Sequence, residues 1–422
     1  MKDEVKFRKR EEKLSQKWDG VSEMVPIDGS QYALDTKARK DEFIKAQFPT
    51  EDEMKRYKEY RSEWFRRAKE FDPGDAPLAV VCELVSTCNL DCPMCYTITE
   101  EFQSSAVGAQ RKLPWEIVTK VIDECAELGV SSMLFSWRGE SAIYRATDKA
   151  TGEVKTFADV LAYARKKGIL EITSLTNGSM FGDKMIADLV DAEPTWISFS
   201  IDGLGKNYNK IRTPVSKKDT DFNAFEEVMG NLKAIVALRD KLGKTRPQIR
   251  TNTIYPPIHE NPLAYQKFMQ EAGVGWVTVN EILDFRQEDL PDEDVKDDWA
   301  CQYPFQRLTV SANGSILPCT GAHNEEDELL LGRYTGSKIK KVQSKTTKLK
   351  IWKQIDYSEM TLKEAWDCEK LKNIRKMHMQ NERKCISACR NCRHGAIKKG
   401  VDWVPEDWNM ETMEWEDHDH HH

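Results

Sequence analysis

Residues 78–96 read LAVVCELVSTCNLDCPMCY. The first eight form an almost unbroken apolar run of strand length, which predicts a strand over Leu78–Val85 buried on both faces. Such strands belong to parallel sheets with helices outside them. Directly afterwards come Cys88, Cys92 and Cys95, spaced by three and two residues. Parallel α/β folds gather their functional groups at the C-terminal ends of their strands, and that is where these thiols fall.

Working outward, the same alternation repeats. Pro114–Leu128 has helical periodicity, Ser132–Trp137 reads as strand, Phe157–Lys167 as helix and Ile169–Leu175 as strand. Asp183–Val190 is a helix, Trp196–Ile201 a strand, Phe222–Leu242 a helix and Gln248–Thr253 a strand, and Pro262–Ala272 with Trp276–Glu281 closes the series. The fold class predicted is α/β: about six parallel strands, as an open sheet or a partial (β/α) barrel.

Four regions follow from the composition. Residues 1–75 hold 18 basic and 18 acidic side chains and read as a charged helical extension packed by one face on the main domain. Asp72-Pro73-Gly74-Asp75 ends it, and 76–290 is the parallel unit. Residues 291–400 lose the alternation, carry the remaining clustered cysteines and read as a separate, metal-stapled domain. The stretch 401–422 is an acidic tail ending in histidines that resemble a purification remnant.

With 63 Lys+Arg against 70 Asp+Glu the net charge is −7, which argues against a nucleic-acid or anionic-lipid partner. No run approaches the ~18 apolar residues of a membrane span, and the charged first residues do not resemble a signal peptide, so a cytoplasmic location is expected. In that compartment eleven cysteines point to metal rather than disulfides.

Three thiolates are an informative number. Structural zinc and closed iron-sulfur sites take four protein ligands, whereas three on a cubane leave one iron open. A zinc or simple electron-transfer site is the plainer alternative. Cys301 and Cys319 flank an Asn313-Gly314 hairpin turn, and Cys389 and Cys392 supply two further thiols, so these four make a second metal site, either iron-sulfur or zinc.

The pattern CNLDCPMCY at 88–96, ahead of repeating helix-strand units, resembles the radical S-adenosylmethionine (SAM) enzymes. The resemblance implies a 4Fe-4S cluster on Cys88, Cys92 and Cys95 with SAM at its open iron, and hydrogen-atom abstraction from a substrate by a 5′-deoxyadenosyl radical. Trp137-Arg138-Gly139-Glu140-Ser141 is similar to the family's Gly-Gly-Glu-Pro turn, with Arg138 and Ser141 departing from it. Gly139 and Glu140 are thereby implied in binding SAM, together with Thr176 and Asn177, Ser200 and Asp202, and Arg212 as a carboxylate clamp.

The C-terminal cysteines resemble the SPASM or shorter twitch auxiliary domain, implying a second (auxiliary) 4Fe-4S cluster on Cys301, Cys319, Cys389 and Cys392. Cys385 and Cys368 are then spare, with Cys385 the alternative to one of these ligands, and both are candidate hydrogen-atom donors, while the plain reading of Cys82, Cys125 and Cys368 is as small buried hydrophobes. A flavodoxin- or ferredoxin-like reductant is expected. Lys338–Lys353, with seven lysines and no acid, is a solvated insertion or a contact surface for an anionic partner. The leading function is oxidation or epimerisation of a sugar-like small molecule. The rivals are a peptide or protein maturase, with the N-terminal helices as its recognition arm, and an iron-sulfur module that no longer cleaves SAM.

Overall fold

In a computed structural model the described residues are 37–99, 102, 111–215, 223–255, 258, 262–281, 298–322, 325, 328–334, 337–343, 350–356, 359–390, 392, 396–398 and 408–415. Residues 1–36 of the extension, 344–349 of the Lys-rich stretch, 401–407 and 416–422 of the tail, and the terminal histidines lie outside them.

Two helices open the described chain, α1 (Lys37–Gln47) and α2 (Glu51–Glu70). A reciprocal cap starts α2: Thr50 Oγ1 accepts from the Glu53 amide at 3.2 Å, and the Glu53 carboxylate accepts from the Thr50 amide at 3.3 Å. Three acids occupy its first turn and Arg67 and Lys69 its last, which suits the helix dipole. It ends at Phe71 in a left-handed conformation, just before Pro73. One face buries Tyr57, Tyr60 and Phe65 against Phe48, Leu78 and Leu170. Arg246 holds the helix start through a 2.6 Å pair with Glu53.

The alternating unit follows as β1 (Ala79–Cys82), α3 (Trp115–Glu127), β2 (Ser132–Leu134), α4 (Phe157–Lys166), β3 (Glu171–Thr176), α5 (Asp183–Ala192), β4 (Trp196–Ser200), the short α6 (Lys206–Ile211), α7 (Ala224–Lys241), β5 (Gln248–Tyr255), α8 (Pro262–Glu271) and β6 (Trp276–Glu281). Strands β1 to β6 lie side by side in chain order, all parallel. The fold is α/β with a mostly parallel sheet, as the alternation predicts. Buried strand residues such as Val80, Met133, Ile172 and Ile197 pack under helix residues such as Val118, Leu161 and Leu189, each worth about 1.5–3 kcal/mol of burial. Cys82 and Cys125 are fully buried in this core.

The cysteine-rich part does not stand apart from the sheet. Strand β7 (Arg307–Val310) pairs in parallel with β1, Ala79 opposite Arg307 through Cys82 opposite Val310. Strands β8 (Ser315–Leu317) and β9 (Gly332–Arg333) add antiparallel neighbours, giving nine strands ordered β9-β8-β7-β1-β2-β3-β4-β5-β6. The boundary placed at 290/291 from composition therefore falls between segments that share one sheet. Helices α9 (Leu362–Asp367) and α10 (Glu369–Met379) follow, bringing Cys368 between them. The Lys-rich stretch pairs Ser337–Gln343 with Lys350–Asp356 as antiparallel strands. Among the described residues no helix is long and apolar enough to cross a membrane.

Candidate functional site

Beyond β1 the chain runs through Val85–Thr87 into the three cysteines. The turn after β2 crosses this segment so closely that a Cβ on Gly139 would sit 2.4 Å from the Val85 carbonyl oxygen and 2.5 Å from that of Thr87. Only glycine permits the approach. The Glu140 amide then donates to the Thr87 carbonyl at 2.9 Å.

Glu140 is buried, and its carboxylate accepts from the Ala142 amide (3.0 Å), Thr176 Oγ1 (2.7 Å) and the Asn177 amide (2.6 Å). It thus locks the ends of β2 and β3 together. Burial pushes this carboxyl above its ordinary range, against the three donors and Arg212.

Asn177 reaches the cysteine loop. Its Nδ2 donates to Asn89 Oδ1 at 2.9 Å and stands 3.8 Å from Cys88 Sγ, while its Oδ1 accepts from Ser179. On the other side the loop is sewn to the segment after α6: the Asp91 amide donates to the Thr213 carbonyl, Thr213 Oγ1 to the Asp91 carbonyl, and the Val215 amide to the Asn89 carbonyl.

Between these segments lies Arg212. Its Nε (2.7 Å) and Nη2 (2.5 Å) grip the buried carboxylate of Asp202, leaving Nη1 3.8 Å from Cys92 Sγ. The fork that the sequence reading assigns to a SAM carboxylate is spent on Asp202, which also accepts from the Ile254 amide at 2.9 Å. Ser200 ends β4 opposite Asn252, half-buried.

Each sulfur of the trio has a hydrogen-bonding neighbour: Leu90 N and Asn177 Nδ2 donate at Cys88, Arg212 Nη1 donates at Cys92, and Cys95 Sγ shares a 3.0 Å hydrogen bond with Thr97 Oγ1. Burial raises the thiols of Cys88 to about 12 and Cys92 to about 11. A bound cation is what turns such thiols into thiolates.

Tyr208, on α6, escapes sequence reasoning. Its hydroxyl is buried, has no hydrogen-bond partner among the described residues, and feels Arg212, Asp202, Cys92 and Glu140 electrostatically. Nothing marks it in the sequence except its position four residues before Arg212.

A second constellation lies at the far side of β7 and β8. Cys301, Cys319, Cys389 and Cys392 line one cavity with His378 and Arg383. A Cβ on Gly321 would lie 3.4 Å from Cys319 Sγ and 3.9 Å from Cys392 Sγ, so the backbone passes close to two sulfurs. Burial raises Cys319 to about 11, ahead of its neighbour Cys392. Among the described residues no three His, Cys, Asp or Glu converge on a point that would hold a single ion. The four cysteines line one cavity, and four thiols are a donor set that fits an iron-sulfur cluster.

Cys385 and Cys368 are not brought to this cavity. Cys385 is exposed on the Arg383–Cys385 turn, and Cys368 Sγ caps α10 by accepting from the Leu371 amide at 3.4 Å.

Arg138, in the turn after β2, has its own partners. It is buried between Glu83, just after β1, and Glu325 of the C-terminal part, with contacts of 2.6 Å and 3.0 Å, and its guanidinium lies 3.9 Å from the Trp137 ring centre. Glu83 also accepts from the Ala312 amide at 2.9 Å, and Glu325 from Asn313 and Ser315. Burial works against the Glu325 carboxylate, but Arg138, Ser315 and Asn313 outweigh it and hold that group below its ordinary range.

Residues 83–243 match the radical SAM superfamily, and residues 301–393 match SPASM, the iron-sulfur cluster-binding domain. The chain belongs to the radical SAM superfamily and carries a C-terminal SPASM domain. Its cofactors are accordingly a 4Fe-4S cluster with SAM, and auxiliary iron-sulfur.

Solved structures with similar folds include BtrN in complex with AdoMet and 2-DOIA (13% identity, TM-score 0.41, covering 78% of this chain and 98% of that one). Another is Streptococcus suis SuiB bound to S-adenosylmethionine (14%, 0.48, 76% and 71%). A third is SuiB bound to the precursor peptide SuiA (14%, 0.49, 76% and 72%). No curated protein matches the chain.

Proposed function

We propose that this protein is an enzyme that reductively cleaves SAM and removes a hydrogen atom from a sugar-like small molecule, oxidising or epimerising it. One observation carries the reading of the first step: all three sulfurs at the exit of β1 have hydrogen-bonding partners, with donors to Cys88 and Cys92 that come from the cysteine loop, the end of β3 and the segment after α6. Donors to the sulfurs orient cluster ligands and set their basicity. Cys88, Cys92 and Cys95 would hold the first cluster. When bound there with SAM, it supplies the electron that breaks the sulfonium bond and so yields the hydrogen-abstracting radical.

The chain's own residues prepare the pocket. Glu140 holds β2 to β3 and keeps lone pairs for an ammonium group, Gly139 admits the close crossing, and Thr176 and Asn177 fix Glu140 and the cysteine loop. Asp202 holds Arg212 against Cys92, Ser200 lines the strand end, and the Tyr208 hydroxyl offers a donor for a carboxylate. Cys301, Cys319, Cys389 and Cys392 would hold one auxiliary cluster, and that single set supports a small-molecule substrate over a peptide. Residues 76–290 and 291–400 are the two working parts; 1–75 is an N-terminal extension and 401–422 a tail. A flavodoxin- or ferredoxin-like donor in the cytoplasm completes the system.

The test is anaerobic reconstitution with dithionite and SAM. We expect 5′-deoxyadenosine, lost when Cys88, Cys92 and Cys95 become Ala; no cleavage under any reductant overturns the reading in favour of a binding module. Deuterium transfer into 5′-deoxyadenosine from labelled aminocyclitols supports the small-molecule class, and transfer from labelled peptides alone overturns it.

A further inference from the structure

His378 sits on α10, fully buried, and its ring lines the four-cysteine cavity. Its Nδ1 accepts from the Cys301 amide at 3.1 Å. That bond decides the tautomer of the neutral ring: Nδ1 is bare, so the proton is on Nε2. Yet Nε2 is buried without a hydrogen-bond partner among the described residues.

Arg383 repeats the pattern. It is fully buried in the same lining and spends Nε and Nη2 on the Cys389 carbonyl and Nη2 on that of Cys392. Its Nη1 is likewise buried without a partner among the described residues. Buried donors left unmade are expensive, and native structures satisfy nearly all of them. Two such donors in the wall of one thiol-lined cavity call for an acceptor inside it.

We infer that His378 Nε2–H and Arg383 Nη1–H donate hydrogen bonds to sulfur atoms of the auxiliary cluster and raise its reduction potential. The inference rests on the assignment of Cys301, Cys319, Cys389 and Cys392 as that cluster's ligands. The physical reason is charge: a cluster on four thiolates is anionic, reduction adds another negative charge, and N–H donors and a guanidinium stabilise the reduced form more than the oxidised one. Both residues tune the cluster and are not ligands to it.

The experiment uses the full chain with Cys88, Cys92 and Cys95 changed to Ala, which isolates the auxiliary site. Iron and sulfide analysis comes first: about four of each per chain upholds the ligand assignment, whereas zinc or no iron overturns it, and this inference with it. On iron-loaded protein an EPR-monitored redox titration then reads the midpoint potential. We expect His378→Phe and Arg383→Gln each to lower the reduced-to-oxidised ratio at fixed potential at least tenfold, 59 mV for one electron. His378→Gln, which keeps an N–H in place of Nε2, should restore most of the loss. Potentials unchanged within threefold in both loss variants, with iron retained, overturn the inference. Should His378→Phe fail to load iron, 15N-histidine labelling of the parent decides: nitrogen coupling to the reduced cluster supports the inference, and its absence overturns it.

Discussion

Arg138 and Glu83, 55 positions apart in the chain, form a fully buried ion pair in which Nε donates to Oε1 at 2.9 Å and Nη2 to Oε2 at 2.6 Å. Because Glu325 shares the same guanidinium, this pair also joins the radical SAM part to the SPASM part. Arg138→Met strands two buried carboxylates, so it should cost about 3–5 kcal/mol. Guanidinium unfolding measures this; a loss below about 1 kcal/mol refutes the role.

At the neighbouring position Gly139→Ala brings a methyl group against two backbone carbonyls that cannot swing aside. The strand exit must shift, at about 1–3 kcal/mol. Iron per chain should fall from about eight to about four as the first site fails and the auxiliary one stays. Full loading of both clusters would show that the crossing is not needed.

Asn177→Leu removes the tie between β3 and the cysteine loop together with the donor near Cys88. Removing such supporting contacts typically weakens metal sites about 10–100-fold. Competition with an iron chelator reads this directly, and chelation at the parent rate would contradict it.

Tyr208→Phe deletes one hydroxyl and leaves its packing on Phe225 intact. SAM affinity should drop about tenfold, about 1.4 kcal/mol, with no change in iron content. Anaerobic calorimetry would show the opposite, an unchanged Kd, if the hydroxyl does not meet the ligand.

Glu53 ties α2 to Arg246. Burial opposes its ionisation, but Arg246 and Thr50 outweigh it and hold the carboxyl below its ordinary value of about 4.3. A carboxyl depressed by folding stabilises fully above its unfolded value and loses that contribution as pH falls through the folded one. Glu53→Gln should therefore melt lower than the parent at pH 7, with the gap closing below about pH 4. A gap independent of pH would mean that the pair contributes nothing.

Most of the parallel unit is legible in the chain because most of its strands are largely buried and its helices are buried on one face, so apolar patterning marks both. Trp276–Glu281 is read to the residue. Illegible from pattern is the union of Arg307–Val310 with the first strand, since a short apolar segment carries no signal of which neighbour it will pair with. The cysteine groupings are legible from spacing. His378, Arg383 and Tyr208 are not, because each is a single residue whose meaning lies in what surrounds it.

By itself the sequence determined the parallel α/β fold, the thiol trio at its mouth and the four further thiols, because periodicity and ligand spacing are local properties. Only the tertiary structure decided that Arg212 grips Asp202, that Arg138 bridges Glu83 and Glu325, and that His378 and Arg383 line the four-cysteine cavity. Those relations join residues far apart in the chain, and the partner of a buried polar group is chosen by packing, which no local pattern encodes.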